Sequence, residues 1–462
     1  MPSRRRFWPA ASNLATTFWW MPRASRSFFE GPRVSPSLPW KGAKRRTSPS
    51  PKPLRCRRAP VVDWLSIQKQ LQQMVQEQTL ARDEGRERLE RAVEEWHRFA
   101  PQWEALREKA RASRTSWLLA DFRESWEPRF PPEESPLPYV ALAADGSQIF
   151  PDRHGFVACY LINIGAVAIP YGLPERPRLS SQPTLFYREE DLYPEWGGKR
   201  ALITPDILAT RRMLMELETL ADWAEEWAQR SVPIVALADG SLISWPLESK
   251  PPDYQAFVLE RLRALFDRFR ALRVPVAGYI SRPGGAEVIN VLRVGICPEV
   301  QVNCDRCPYK RPPVQEEGSL LVLPLLPCEV IAGVSDGSLF EAILELGERS
   351  PSFESQSQIL DLYGPHRIVA FYLHAGQEIA RVEMPAWVAN DPPLLERLHS
   401  ALVDQVRKGH GYPLVLTEAH EQAVLRSADR DFFYLLLERL FAQSTLPLRT
   451  SSKSRSKRIP RI

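Results

Sequence analysis

The hydrophobic pattern changes period several times along the chain. From 62 to 112, Leu65, Leu71, Met74, Leu80, Leu89, Val93 and Trp96 recur mostly at helical spacings among Gln, Glu and Arg. That predicts a helical hairpin or coiled arm used for packing or dimerisation. A proline-rich loop ends at Pro138, and the pattern turns to strands. Tyr139–Ser147, "YVALAADGS", is an apolar run that stops at an acid and a glycine. Residues 155–169 alternate through Phe156, Ala158, Tyr160, Ile162 and Ile164, and 184–190 predicts a third strand. A helix over 205–229, a second apolar run at 232–241, a helix over 253–272 and a strand at 274–280 follow. Residues 290–360 are less regular. Strands return at 366–374 and 378–384, then a helix at 392–408 and an apolar run within 411–425.

This order, a meander of three strands and then helix-linked strands, is that of a ribonuclease-H-like α/β fold. A right-handed crossover through the 205–229 helix sets the fourth strand beside the first. The expected architecture is a mixed-sheet core at 139–295 with an N-terminal helical arm at 62–130. A Cys-containing insertion spans 296–330, and C-terminal α+β elements at 331–450 complete the site.

Charge divides the chain further. Residues 1–60 hold fourteen Lys/Arg and one acid, Glu30, leaving 47 bases against 55 acids in the rest. The head is also dense in Pro and Ser, as in "RRTSPSPKPLRCRRAP" from Arg45 to Pro60, and cannot bury enough apolar surface to fold alone. Its readings are a start codon set too far upstream, a disordered nucleic-acid-binding arm, or a targeting peptide. A basic tail at 451–462 carries Lys453, Arg455, Lys457, Arg458 and Arg461. No run of 18 apolar residues occurs, which excludes a membrane-spanning helix. Six cysteines are too few for a disulfide-stapled secreted scaffold and fit a cytoplasmic protein.

The near-duplicates "ALAADGS" and "ALADGS" are the main chemical signal. Asp145 and Asp239 each follow an apolar strand and precede Gly-Ser. Parallel neighbouring strands would bring both carboxylates to one end of the sheet, where open α/β sheets bind ligands. A divalent cation would offset their repulsion. A third carboxylate is expected from the 205–229 helix, whose apolar stripe is Met213, Leu217, Leu220, Ala224 and Trp227. Glu216 lies about 60° from the stripe centre and Glu218 about 140° from it, so Glu216 borders the sheet and Glu218 points to solvent. Arg212 stands four residues before Glu216 as an ion-pair partner. Tyr412 and His420 flank a short apolar run, with His420 expected near a helix start. An imidazole suits Mn²⁺ better than Mg²⁺.

On these residues the chain resembles the NurA family of DNA-repair nucleases. The resemblance runs over about 62–458 and rests on the two "ADGS" segments, "RRMLMELETL" and "GYPLVLTEAHEQAV". "GYISRP", "GERS" and "EIARVEMPAWV" add to it. It implies a toroidal homodimer, Mn²⁺-dependent 5′-to-3′ exonuclease and single-strand endonuclease activity, and a hexameric HerA ATPase as partner in processing DNA double-strand breaks. Asp145, Glu216, Asp239 and His420 match the family's metal ligands, and Tyr412 its active-site tyrosine. Arg282, Arg293 and Arg381 are candidate phosphate contacts. A catalytically idle DNA clamp and an RNA-directed ribonuclease-H-like enzyme are the alternatives. No Gly-rich loop carries the Lys-Ser/Thr of a phosphate cradle, so ATP-driven unwinding falls to another protein.

Cys297, Cys304, Cys307 and Cys328 are separated by six, two and twenty residues, a pattern that suits a structural zinc or an iron–sulfur cluster. The third Asp-Gly-Ser, at Asp336, reads as the N-cap of a helix.

Overall fold

The computed structural model describes residues 62–126, 129–133, 137–151, 157–310 and 326–444. The basic head and tail lie outside them. The chain divides between Ile67 and Gln68, and the fold below is that of the second unit.

Helices α1 (Trp64–Phe99) and α2 (Trp103–Arg111) come first, followed by β1 (Ala120–Phe122). Strands β2 (Tyr139–Ile149), β3 (Tyr160–Tyr171) and β4 (Arg178–Phe186) form an antiparallel meander. One helical turn, α3 (Glu189–Leu192), and a small hairpin of β5 (Glu195–Trp196) and β6 (Lys199–Arg200) lead into α4 (Pro205–Ala228). Then come β7 (Ile234–Asp239), α5 (Pro252–Leu272), β8 (Val276–Ser281) and α6 (Glu287–Ile296). The C-terminal part holds α7 (Asp336–Ile343), β9 (Phe353–Ser355), β10 (Ile368–His374) and β11 (Ile379–Pro385). It ends with α8 (Ala386–Ala389), α9 (Pro392–Lys408), α10 (Leu414–Ala423) and α11 (Ser427–Ala442).

Among the described residues nine strands share one sheet in the order β1-β9-β10-β11-β8-β7-β2-β3-β4. β7 lies parallel to β2 and β8 parallel to β7. The segment β4-β3-β2-β7-β8 is therefore the expected ribonuclease-H-like core. The C-terminal strands continue the same sheet, and β1, donated by the arm region, closes it beside β9.

β2 reads as uniformly apolar because both its faces are covered. Val140, Leu142 and Ala144 pack with α4 and α5, whereas Tyr139, Ala141 and Ala143 pack with α9 and α10. A third core joins the arm to the far end of the sheet. There Trp96 stacks on Trp126 at 4.3 Å, and Leu106 and Ala110 pack with α6 and α7. The expected arm is one long helix that breaks around Pro101, followed by a short second helix. Earlier in α1, Leu71, Met74 and Val75 are exposed, as are Phe432, Leu435, Leu436 and Leu440 of α11. Among the described residues no helix is long and apolar enough to cross a membrane.

Candidate active site

Strand alternation and register bring Asp145 and Asp239 together. In the parallel β2–β7 pair Ala144 stands opposite Ala238, so the two aspartates follow at one level. Both belong to the odd-numbered set that faces α9 and α10. The two Asp-Gly steps nevertheless differ. β7 ends at Asp239 and the chain turns at Gly240, whose φ of +102° suits glycine. β2 instead runs on to Ile149, so no turn follows Asp145. At Gly146 the missing side chain serves close approach: a Cβ would stand 2.5 Å from Glu216 Oε1 and 2.7 Å from Arg212 Cγ.

Glu216 comes in from α4 on the opposite face and is buried. Its Oε1 lies 3.1 Å from Arg212 Nε, yet neither atom has a hydrogen-bond partner. Burial pushes the Glu216 carboxyl up to about 7, against Arg212 and with help from Asp145 and Asp239. Asp239 also shifts up although its side chain reaches solvent; desolvation leads, a hydrogen bond from Tyr412 opposes it, and Asp145 adds to it. Glu218 turns away to Arg261 of α5, 3.2 Å distant.

His420 and Tyr412 complete the group. His420 sits in the last turn of α10 rather than near a helix start, because the apolar run at 414–419 is itself helical. Its Nδ1 is 2.8 Å from Asp145 Oδ2, and Asp145 Oδ1 accepts from the Gly146 N–H at 2.7 Å. The Tyr412 hydroxyl donates to Asp239 Oδ1 at 3.0 Å, and its ring meets Tyr279 edge-on at 5.2 Å. Three carboxylates and an imidazole are a donor set for a hard or borderline divalent cation. Asp145, Asp239 and His420 are engaged locally, and among the described residues no three ligand side chains converge on one point.

The residues that set this geometry include several that sequence reasoning missed. Gly165 pairs with Asp145 across β2–β3, and a Cβ there would collide with the α10 backbone at Ala419, Gln422 and Ala423. The bare strand lets α10 descend until His420 reaches Asp145. Ser147 Oγ and Asn163 Nδ2 donate to Ala423 O at 2.5 and 2.8 Å and hold that helix end. A glycine and a buried asparagine inside the apolar run "INIGAVAI" were the available signals.

The arginine expectations need correction. Arg381 is buried between Glu287 and Glu383, at 3.0 and 2.9 Å, and cannot grip a phosphate. Glu383 accepts from Ser241 Oγ and Leu242 N at 2.7 and 2.9 Å, so this network anchors the turn after Asp239. Arg293 lies 3.7 Å over the Trp117 ring and donates to Cys328 O, which commits it to the cysteine region. Arg282 is exposed near Glu378, just past the C-terminal end of β8, which is the same end of the sheet as Asp239 because β8 lies parallel to β7. Asp336 is also reassigned. Ser335 caps α7, while buried Asp336 accepts from Val288 and Ile289 N–H at 3.1 and 2.9 Å and so caps α6. All four candidate cysteines, Cys297, Cys304, Cys307 and Cys328, line one small cavity.

Residues 139–425 match the family model of the NurA domain. Among solved structures, the NurA nuclease from Sulfolobus solfataricus is 14% identical, over 70% of this chain and 89% of its own, with a TM-score of 0.42. A second NurA structure is 12% identical, over 67% and 90%, with a TM-score of 0.32. The catalytic domain of human endonuclease V is 13% identical, over 73% and 98%, with a TM-score of 0.28. No curated protein matches.

Two outcomes follow for the supporting residues. Gly165→Ala should lower stability by about 1–3 kcal/mol through overpacking against α10. Gly284→Ala, where nothing lies within 4 Å of the added carbon, should stay within about 0.5 kcal/mol. Equal urea midpoints for the two variants would mean that α10 is not seated on β3. Arg381→Ala should cost about 3–5 kcal/mol, because Glu287 and Glu383 lose their buried partner. A fully stable variant with a shallower salt dependence of DNA binding would return Arg381 to the surface role.

Proposed function

The chain belongs to the NurA domain family, and from that premise we propose that it is a metal-dependent DNA nuclease acting in the cytoplasm on double-strand-break ends. The observation that carries this reading is the meeting of Asp145, Glu216, Asp239, Tyr412 and His420 at one end of the sheet. The donor set fits a divalent cation, Mn²⁺ or Mg²⁺. Glu216 Oε1 is a buried carboxylate oxygen with no hydrogen-bond partner, beside two further carboxylates whose mutual repulsion a cation would relieve. Asp145, Glu216, Asp239 and His420 would hold it, with Lewis-acid neutralisation of phosphate charge and acidification of water as the chemistry it supplies.

The protein's own groups do the remainder. Tyr412 fixes the Asp239 rotamer with its one hydroxyl proton. His420 holds Asp145 Oδ2 from the solvent side while the Gly146 N–H holds Oδ1. Arg212 balances the charge of Glu216 from behind. Arg282 offers an exposed cation for the flanking backbone. Hydrolysis places water on phosphorus and expels the 3′ oxygen. The 5′-to-3′ polarity and single-strand endonuclease action belong to the same proposal.

The exposed apolar rows of α1 and α11 support a homodimer, because monomers seldom leave such helix faces uncovered. A HerA-type hexameric ATPase is the proposed motor.

End-labelled DNA degraded with Mn²⁺ and spared with EDTA tests the reading. Asp145→Asn and Asp239→Asn should each abolish cleavage and keep a metal-free thermal midpoint equal or higher, because a repulsive charge is removed without a change of shape. Activity retained in both variants would overturn the carboxylate site. DNA bound but never cut would identify a clamp, and preference for RNA a different enzyme. With ATP, a cognate HerA-type hexamer should increase degradation of blunt duplex; no stimulation would leave a nuclease working alone on single strands.

A further inference from the structure

The cysteine region lies apart from the carboxylate group and is built as carefully. Cys297 ends α6, Cys304 and Cys307 flank one tight turn, and Cys328 lies in a short helical turn ahead of α7. All four are free of disulfides. They line a cavity of about 20 Å³ shared with Trp117 and Val302. That volume holds about one water-sized sphere. The Cys304–Cys307 turn is fixed from within: Asn303 Oδ1 accepts from the N–H groups of Asp305 and Arg306 at 3.1 and 3.3 Å.

Three basic side chains reach the main chain of this region, and Glu299 also lines the cavity. Lys109 Nζ donates to Cys297 O at 2.7 Å, Arg293 Nε to Cys328 O at 3.0 Å and Lys310 Nζ to Cys304 O at 3.0 Å. Three of the four cysteines thus have a cation on their own main chain. Among the described residues no three ligand side chains already converge on one point, and four thiolates come together only around a positive ion.

We propose that Cys297, Cys304, Cys307 and Cys328 form a structural tetrathiolate site for a single zinc ion, which fastens the helical arm to the core. Four-sulfur sites hold zinc or iron–sulfur clusters, and a one-ion cavity selects zinc. A cube of four irons and four sulfurs exceeds it. Four thiolates around Zn²⁺ carry two net negative charges, which Lys109, Arg293 and Lys310 offset. The segment so closed is already bound to the arm: Cys304 N–H donates to Arg114 O at 2.9 Å, and Arg114 N–H to Val302 O at 2.8 Å. The ion would join the end of α6, the following turn and the segment before α7 to the end of α2. None of the carboxylate-site residues lines this cavity, so the inference holds whether or not the protein cuts DNA.

Elemental analysis of the full-length protein, purified without added metal, should find close to one zinc per chain. The Asp145→Asn/Asp239→Asn double variant should keep it, which separates this site from the carboxylates. Cys307→Ser and Cys328→Ser should each lose most of it. Cobalt-substituted protein should show the visible bands of a tetrahedral thiolate complex. If the serine variants fail to fold, thiol titration of the native protein decides: four fewer cysteines should react before chelation than after it. Iron with visible absorbance, zinc unchanged by Cys307→Ser, or folded metal-free protein with all four thiols reactive or paired as disulfides would each overturn the proposal.

Discussion

The parallel pairing of β2 with β7 is the constraint on which the site depends. It is a short contact, from Val140 opposite Ile234 to Ala144 opposite Ala238. It is secured by apolar burial on both faces, with α4 and α5 on one side and α9 and α10 on the other. That burial forces two aspartates to one level, where they repel. The fold then holds each in a separate grip. Asp145 is held by His420 and the Gly146 N–H, Asp239 by Tyr412. The stability of the sheet thus offsets an electrostatic cost concentrated at the end that carries the candidate site, as binding sites commonly require.

The three Asp-Gly-Ser segments show one tripeptide in three structural roles. In the first, Asp145 faces the site, Gly146 admits Glu216 and Ser147 holds the end of α10. In the second, Asp239 faces the site, Gly240 makes the turn and Ser241 donates to Glu383. In the third, Asp336 is buried and caps α6, and burial pushes it up to about 6. The second is tied through Glu383, Arg381 and Glu287 to Ser355 of β9, so the turn beside the site rests on strands well along the sheet. The C-terminal strands therefore support the core as well as extend it.

Elements remote in sequence act on the same geometry. α10 follows the core by more than a hundred residues, yet it supplies His420 and covers β3 where Gly165 leaves room. The arm gives β1 to the far sheet edge and Trp96 to an aromatic cluster with Phe122, Trp126 and Phe340. Its second helix meets the cysteine-lined segment. The β1 edge of the sheet and its face over β3 are thus completed by chain from outside the core.

The sequence by itself determined the element order, the crossover and the shared level of Asp145 and Asp239. These follow from local periodicity and from the handedness of strand connections, which act over short stretches of chain. Helical phase put Glu216 rather than Glu218 at the sheet boundary for the same reason. The two ends of the arginine question show the limit. Arg381 sits in "EIARVEM", and nothing local distinguishes a surface arginine from one whose partners, Glu287 among them, arrive from another element. Asp336 likewise reads as a cap of its own helix until α6 is set beside it. Only the tertiary structure decided these roles, along with the seating of α10 on Gly165 and the gathering of four cysteines at one cavity. The physical reason is that side-chain pairing and close backbone approach depend on which distant segments meet, whereas periodicity records only which face of each segment is buried.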